Sequence, residues 1–257
     1  MKSICHSSTT KKFTVQSNLI FGKIKKTLTE DEKYLIVKYL KKNEKTVEAG
    51  TAAGRILWEM KDLGFQKLYG YDYVPEFIEQ AKQRDRSQII SFEVQDATDL
   101  TYENAGVDPI IYWPQIVCFI EEEEKRLKAL TEAYRLLKKG RTAVFSFLSF
   151  ESRIKSPFVF YLAYLSMLRR LSGSNRSIEY IPWLKRGEKY NFLALLDRGP
   201  YPYRYKVQEA DQILTKVGFK IVSVGSSYQI GKGKMCDDIE SLKHELIAGM
   251  LYFVCKK

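Results

Sequence analysis

The sequence predicts an α/β domain, built on a doubly wound and mostly parallel sheet of seven strands with a helical insert. Short apolar runs alternate along the chain with amphipathic helical patterns, as parallel strands do when helices join them. Several of these runs end at an acidic residue or a glycine, and the connections between them are short. The alternation breaks after residue 150 and resumes near residue 207, which indicates the insert at about 151–206.

Local signals justify each element in chain order. A capping box at residues 29–32 (TEDE) predicts a helix through about Lys42. Pro75 suits the first turn of a helix over 75–83, and Gly140 follows a long helix that begins at Glu121. Further helices are predicted at 55–63 and 208–217, and strands at 45–49, 67–71, 89–94, 109–112, 142–147, 219–224 and 250–255.

The insert and the N-terminus depart from this repeat. Residues 157–171 (PFVFYLAYLSMLRRL) predict an apolar helix that packs as core, forms the wall of an acceptor pocket, or touches a membrane. Tyr201, Tyr203 and Tyr205 alternate as in a half-buried strand. We predict a basic N-terminal cap over residues 1–28, followed by one domain over 29–257 that contains the insert.

Positive charge is concentrated in the two departing segments. The chain has 42 Lys+Arg against 31 Asp+Glu and a formal net charge of +11. Residues 1–28 contain six lysines and no acid, and residues 151–206 contain eleven basic residues against four acids. Such a distribution attracts an anionic substrate, nucleic acid or a membrane surface, or it only keeps the surface solvated. No nucleic-acid motif accompanies it, so we do not expect nucleic acid as the partner.

Metal chemistry and a catalytic triad are disfavoured by composition. The four cysteines show no CxxC spacing, and His6 and His244 are the only histidines, so the ligands of a zinc site and the base of a triad are missing. No apolar run reaches the roughly 18 residues of a membrane-spanning helix. The N-terminus has no apolar secretory segment, and we therefore expect a cytoplasmic protein.

The most informative segment is residues 47–55 (VEAGTAAGR), where a strand leads through an acid and a glycine-containing loop into a helix. Gly50 and Gly54 let the backbone approach a ligand closely, and the N–H groups of the helix N-terminus suit a polar ligand. A dinucleotide fingerprint requires glycines at 50, 52 and 55, but Ala52 and Arg55 stand at two of these positions. The loop matches the spacing G-x-G-x-G at 50, 52 and 54, with Ala52 in the middle.

In this loop the sequence resembles class I S-adenosylmethionine-dependent methyltransferases of the small-molecule type. Further segments carry the resemblance in the same order: LYGYD at 68–72, VQDA at 94–97, WPQ at 113–115 and LLKKG at 136–140. Together they cover about residues 45–150. The resemblance implies a Rossmann-like fold, methyltransferase activity and S-adenosylmethionine as the cofactor.

The resemblance also implies roles for individual residues. Glu48 would orient the loop or reach the amino group of the cofactor, Asp72 would bind the ribose, and Asp96 with Ala97 would bind the adenine. Tyr73 and Val74 would pack against the purine. The complete set of implied cofactor contacts is Glu48, Gly50, Thr51, Ala52, Gly54, Asp72, Tyr73, Val74, Asp96, Ala97, Pro114 and Gln115. Tyr112 and Gln115 are candidates for a catalytic role beside the cofactor.

The expected reaction is an in-line displacement on the activated methyl carbon, in a site that aligns the acceptor and excludes water. The acceptor would be a small molecule or a short peptide, anionic and partly apolar. Two alternatives stay open: a non-catalytic protein that binds S-adenosylmethionine, and a methyltransferase that acts on RNA or protein. If position 52 requires a positive φ, alanine there costs roughly 1 kcal/mol of strain. The oligomeric state is left open.

Overall fold

A computed structural model of the chain describes residues 27–85, 88–155, 157–186 and 189–257. The predicted basic cap over residues 1–28 therefore lies outside the described residues, apart from its last two. The boundaries predicted for the cap and the domain stay a prediction.

A seven-stranded sheet forms the centre of the fold, in the order β3-β2-β1-β4-β5-β9-β8. Strands β1 to β5 run parallel to one another, whereas β9 is antiparallel to both β5 and β8. The predicted doubly wound, mostly parallel sheet is therefore confirmed. The sheet strands are β1 (Lys45–Ala49), β2 (Lys67–Asp72), β3 (Ser91–Val94), β4 (Ile110–Tyr112), β5 (Thr142–Leu148), β8 (Lys220–Ser226) and β9 (Met250–Lys256).

Helices connect the strands and cover both faces of the sheet. They are α1 (Glu30–Tyr39), α2 (Arg55–Asp62), α3 (Pro75–Arg84), α4 (Glu123–Leu136), α5 (Phe158–Leu171), α6 (Val207–Val217), α7 (Ser227–Gly231) and α8 (Ile239–Lys243). The capping box at Thr29 and Glu32 is present. Helix α1 ends before the predicted Lys42, because Leu40 is extended and buries its side chain.

Two apolar clusters lie on the two faces of the sheet. One contains Leu130 and Leu136 of α4 and Leu214 of α6, and the other contains Leu35 of α1 and Leu57 of α2. Adjacent residues of one strand belong to different clusters, as expected when both faces of a parallel sheet are covered. The helices thus bury the faces, and the segments that follow the carboxyl ends of β1 to β5 meet at one edge of the sheet.

The insert lies between β5 and α6. It contains α5, a hairpin of β6 (Lys185–Arg186) and β7 (Lys189–Tyr190), and a 3-10 helix at Phe192–Leu196. Helix α5 packs Leu162 and Leu165 into a small cluster and leaves Phe160 72% exposed, so it is neither wholly core nor wholly surface. None of the helices in the described ranges is long and apolar enough to cross a membrane.

The strand predicted from the alternating tyrosines is wrong. Tyr203 and Tyr205 form isolated bridges to Tyr180 and Ser149 respectively, with no continuous ladder. The two rings contact each other at 4.8 Å between centroids, and Tyr205 is buried. The alternating tyrosines therefore belong to a segment that pairs with two separate parts of the fold, at Tyr180 and at Ser149.

Candidate functional site

The loop that follows β1 lies at the carboxyl edge of the sheet, where open α/β sheets bind ligands. The Thr51 N–H donates to the carbonyl of Tyr71 at 3.0 Å, and this bond ties the loop to the end of β2. Gly54 is the N-cap of α2 and has a φ of 76°. The loop is thus fixed at both ends; Thr51 is buried, and Ala52 and Ala53 are partly exposed.

Neighbouring side chains explain the two glycines of this loop. A Cβ at Gly50, where φ is +60°, would lie 1.8 Å from Cδ1 of Ile116. A Cβ at Gly54 would lie 2.6 Å from Cζ of Phe92. Close packing within the protein therefore requires both glycines. The contact with Ile116, in the 3-10 turn after β4, could not be predicted from the sequence because the two segments are distant in the chain.

Ala52 occupies the middle glycine position of the spacing with a φ of 48°. The backbone at this position is therefore left-handed, which costs a residue with a Cβ roughly 1–2 kcal/mol. The amide of Ala52 nevertheless donates to Oδ2 of Asp72 at 3.0 Å. The loop keeps a backbone bond to the acid at the end of β2 despite the alanine.

Asp72 ends β2 and is 4% exposed. Its Oδ1 accepts the N–H of Val74 at 3.0 Å, and its Oδ2 accepts that of Ala52. Burial raises the pKa of Asp72 to about 6, and the backbone N–H groups oppose this rise. Val74 is buried, whereas Tyr73 is 42% exposed, so only Tyr73 presents a large accessible side chain to a ligand.

Glu48 lies in β1, one residue before the strand ends, and is 1% exposed. Its Oε2 accepts the Thr51 hydroxyl at 2.6 Å. Burial raises the pKa of Glu48 to about 8, although the Thr51 hydroxyl and the charge of Arg55 lower it. The charge of Asp72 adds to the rise, so two buried carboxyl groups lie near each other beside the loop.

Asp96 and Ala97 follow β3 at the same edge. Asp96 is exposed, and its Oδ1 accepts both the N–H and the hydroxyl of Thr98, at 2.8 and 2.9 Å. Ala97 is half-buried. The N–H of Gln95 donates to the carbonyl of Asp72 at 3.1 Å, so this segment lies beside the end of β2.

The two catalytic candidates, Tyr112 and Gln115, lie in different surroundings at the end of β4. Gln115 is half-buried, and its N–H donates to Oγ of Ser146 at 2.9 Å. Pro114 beside it is exposed. Tyr112 is 1% exposed, and its hydroxyl is bonded to the Tyr71 hydroxyl and the carbonyl of Ala129. We therefore remove Tyr112 from the catalytic candidates, because its hydroxyl lies in the core.

Two arginines of the insert, Arg153 and Arg204, also lie at this edge. Arg153 belongs to a 3-10 turn at Glu151–Arg153, just beyond β5, and Arg204 is 7% exposed. In the sequence these two residues are distinguished only as part of the positive charge of the insert. Within the described ranges, no group of three or more His, Cys, Asp or Glu residues could hold a metal ion.

Comparisons with known proteins agree with this geometry. A family model described as a methyltransferase domain matches residues 40–172. The fold is similar to a SAM-dependent methyltransferase from Methanosarcina mazei, with 16% identity, 87% of this chain and 96% of that chain covered, and a TM-score of 0.61. A SAM-dependent methyltransferase from Thermotoga maritima is 15% identical, with 96% of this chain and 97% of that chain covered and a TM-score of 0.59. An S-adenosylmethionine-dependent methyltransferase from Mesorhizobium loti is 15% identical, with 88% of this chain and 98% of that chain covered and a TM-score of 0.57. None of the curated proteins matches the chain in sequence.

Proposed function

The chain belongs to the methyltransferase domain family, and we propose that it transfers the methyl group of S-adenosylmethionine to a small molecule or a short peptide. The observation that carries the proposal is the pair of buried carboxyl groups, Glu48 and Asp72, on either side of the loop after β1. The acceptor would bind under the insert, beside the ends of β4 and β5. Location in the cytoplasm stays a prediction from the sequence.

The acids at this edge fit the polar groups of S-adenosylmethionine. A carboxylate has about four lone-pair sites, and the N–H groups of Ala52 and Val74 use one on each oxygen of Asp72, with the Tyr73 N–H as a further backbone donor. The remaining capacity would accept a hydroxyl of the ribose. Asp96 bonds to Thr98 through Oδ1, which leaves Oδ2 for the exocyclic amine of the adenine. Ala97 and Tyr73 would flank the purine.

Glu48 fits the positive charge of the same cofactor. Burying an ionised carboxylate without a cation is costly, and the group then holds a proton instead. The pKa of about 8 shows this effect, since the charge of Arg55 and the Thr51 hydroxyl only partly offset the burial. The ammonium and sulfonium groups of the cofactor would supply the missing cation. Glu48 would then ionise when the cofactor binds.

The bound cofactor would supply a methyl group that is already activated for displacement. The residues of this chain would therefore chiefly align the acceptor and exclude water. Gln115 is suited to the first task, because it follows β4 and its N–H is bonded to Oγ of Ser146 in β5. Nothing in the loop favours a non-catalytic binding protein, since Ala52 keeps its bond to Asp72.

Calorimetric titration with S-adenosylmethionine and S-adenosylhomocysteine tests the proposal. We expect Asp72→Asn to weaken both by about tenfold to a hundredfold or more, the worth of hydrogen bonds to a charged group. Asp237→Asn, which removes the same charge at an exposed position, should bind like the unmodified protein. Equal affinity in Asp72→Asn, or no binding by the folded unmodified protein, would overturn the proposal.

A further inference from the structure

Residues 203–205 connect the insert to the ends of two strands. The N–H of Tyr203 donates to the carbonyl of Cys118 at 2.7 Å, in the turn after β4. The N–H of Tyr205 donates to the carbonyl of Leu148 at 2.9 Å, and its carbonyl accepts the N–H of Phe150. This segment is therefore fixed across the carboxyl ends of β4 and β5.

Arg204 lies between the two tyrosines of this segment. Side chains alternate along an extended chain, and the rings of Tyr203 and Tyr205 contact each other on one side. The Arg204 side chain therefore leaves on the side of the segment opposite the two rings. Arg204 is 7% exposed, and its Nε is buried with no hydrogen-bond partner.

Arg153 contributes a second guanidinium group, from the turn after β5 that is bonded to Tyr205 through the N–H of Phe150. Its Nε is also buried without a hydrogen-bond partner, and its guanidinium carbon lies 4.6 Å from the centroid of the Phe158 ring. Burial and the charge of Arg153 lower the pKa of Arg204 to about 9, and burial lowers that of Arg153. The two positive groups repel each other inside the protein.

Among the residues that the structure describes, the nearby acids already have other partners. Glu151 accepts the N–H of Val207 and the hydroxyl of Ser149. Glu179 forms an ion pair with Lys206, and Glu209 accepts the hydroxyl of Tyr203. Buried guanidinium groups are normally paired with a carboxylate or a phosphate. The missing partner at this edge is therefore an anion.

We propose that Arg153 and Arg204 together bind an oxyanion, a carboxylate or a phosphate, of the acceptor molecule. The assignment of the anion to the acceptor rests on the proposed function, whereas binding of an anion at the two arginines can be tested by itself. Guanidinium groups match carboxylate and phosphate oxygens with paired N–H donors. The Phe158 ring beside Arg153 gives the same site an apolar wall.

Anion binding is measured by thermal unfolding with inorganic phosphate or benzoate at constant ionic strength. Phosphate at about a hundred times its dissociation constant should raise the Tm of the unmodified protein by about 5–10 °C. Arg204→Met and Arg153→Met should each weaken phosphate binding by about tenfold or more. Arg170→Met removes an exposed charge from the same insert and should behave like the unmodified protein.

The thermal stability of the anion-free variants separates binding from a structural role. A residue that only supports the fold lowers the Tm when it is removed. Removing an unpaired buried charge instead relieves its desolvation, so Arg204→Met without phosphate should be at least as stable as the unmodified protein. If Arg204→Met does not fold, Arg153→Met gives the same test. Equal phosphate shifts in all four proteins, or none in the unmodified one, would overturn the inference.

The carboxylate of S-adenosylmethionine is the other possible source of the anion, and titration with the cofactor distinguishes the two. We expect Arg204→Met to bind S-adenosylmethionine with unchanged affinity, and phosphate to bind when the cofactor site is saturated with S-adenosylhomocysteine. A tenfold loss of cofactor affinity in Arg204→Met would overturn the assignment to the acceptor. Failure of the proposed function has a different signature, because the unmodified protein would then bind phosphate but not S-adenosylmethionine.

Discussion

Replacing Ala52 with glycine tests whether the loop after β1 stores backbone strain. The φ of 48° at Ala52 costs an L-residue about 1–2 kcal/mol, whereas glycine adopts this conformation freely. Glycine also increases the entropy of the unfolded chain, which costs about 0.4–1 kcal/mol. The difference is a gain of roughly 0.5–1 kcal/mol in the free energy of unfolding, or about 1–4 °C in Tm.

The neighbouring residue provides a matched control with the opposite expected sign. Ala53 lies in the same loop, but Ala52 is the residue of this pair with a positive φ. Ala53→Gly therefore relieves no strain and should lower the free energy of unfolding by about 0.4–1 kcal/mol. Both variants are compared by differential scanning calorimetry and urea unfolding. If Ala52→Gly is destabilised as much as Ala53→Gly, the position is not strained and the reasoning fails.

Two further predictions concern the same edge of the sheet. Gly50→Ala places a Cβ 1.8 Å from Cδ1 of Ile116 at a φ of +60°, so we expect a loss of about 2–4 kcal/mol in urea unfolding. Ile116→Ala as the background should remove the packing share of that loss, and an unchanged loss would contradict the contact. The pKa of Glu48 is about 8 in the folded protein, against an ordinary value of 4.5 that applies to the unfolded chain. The stability that its protonated form contributes is therefore fully present below about pH 4.5 and is lost as the pH rises to about 8. Cofactor-free Glu48→Gln should therefore lose less stability than the unmodified protein between about pH 5 and about pH 8, and parallel curves would contradict the raised pKa.

The sheet was predictable from the sequence because its central strands, β1, β4 and β5, are buried on both faces. Such strands appear as short apolar runs, and the acids or glycines that follow them mark the edge where the chain turns. The tyrosines of the insert were not predictable in this way. Alternation shows that Tyr203 and Tyr205 share a side, but only the fold shows that the segment pairs with separate residues, Tyr180 and Ser149, instead of a strand.

The candidate site was likewise only partly predictable from the sequence. Glu48, Asp72 and Asp96 could be placed at one edge because parallel strands share the direction of their carboxyl ends. The direction of a particular side chain could not be predicted in this way. Tyr112 was therefore a catalytic candidate in the sequence, although its side chain joins the core with Tyr71. The missing partners of Arg153 and Arg204 depend on contacts between distant segments, so composition showed their charge but not their burial.

Acidic side chains lie at one half of this edge and basic side chains at the other. Buried carboxyl groups lie at the ends of β1 and β2, whereas the half-buried Arg153 lies beyond β5 and the buried Arg204 lies in the segment fixed to the end of β5. A cofactor that carries positive charge and an acceptor that carries an anion would each be attracted to the opposite half. Because exchanging their positions would bring like charges together, the proposed arrangement would determine which molecule binds on which side. Alignment for an in-line transfer would then follow from the fold before any catalytic base is involved.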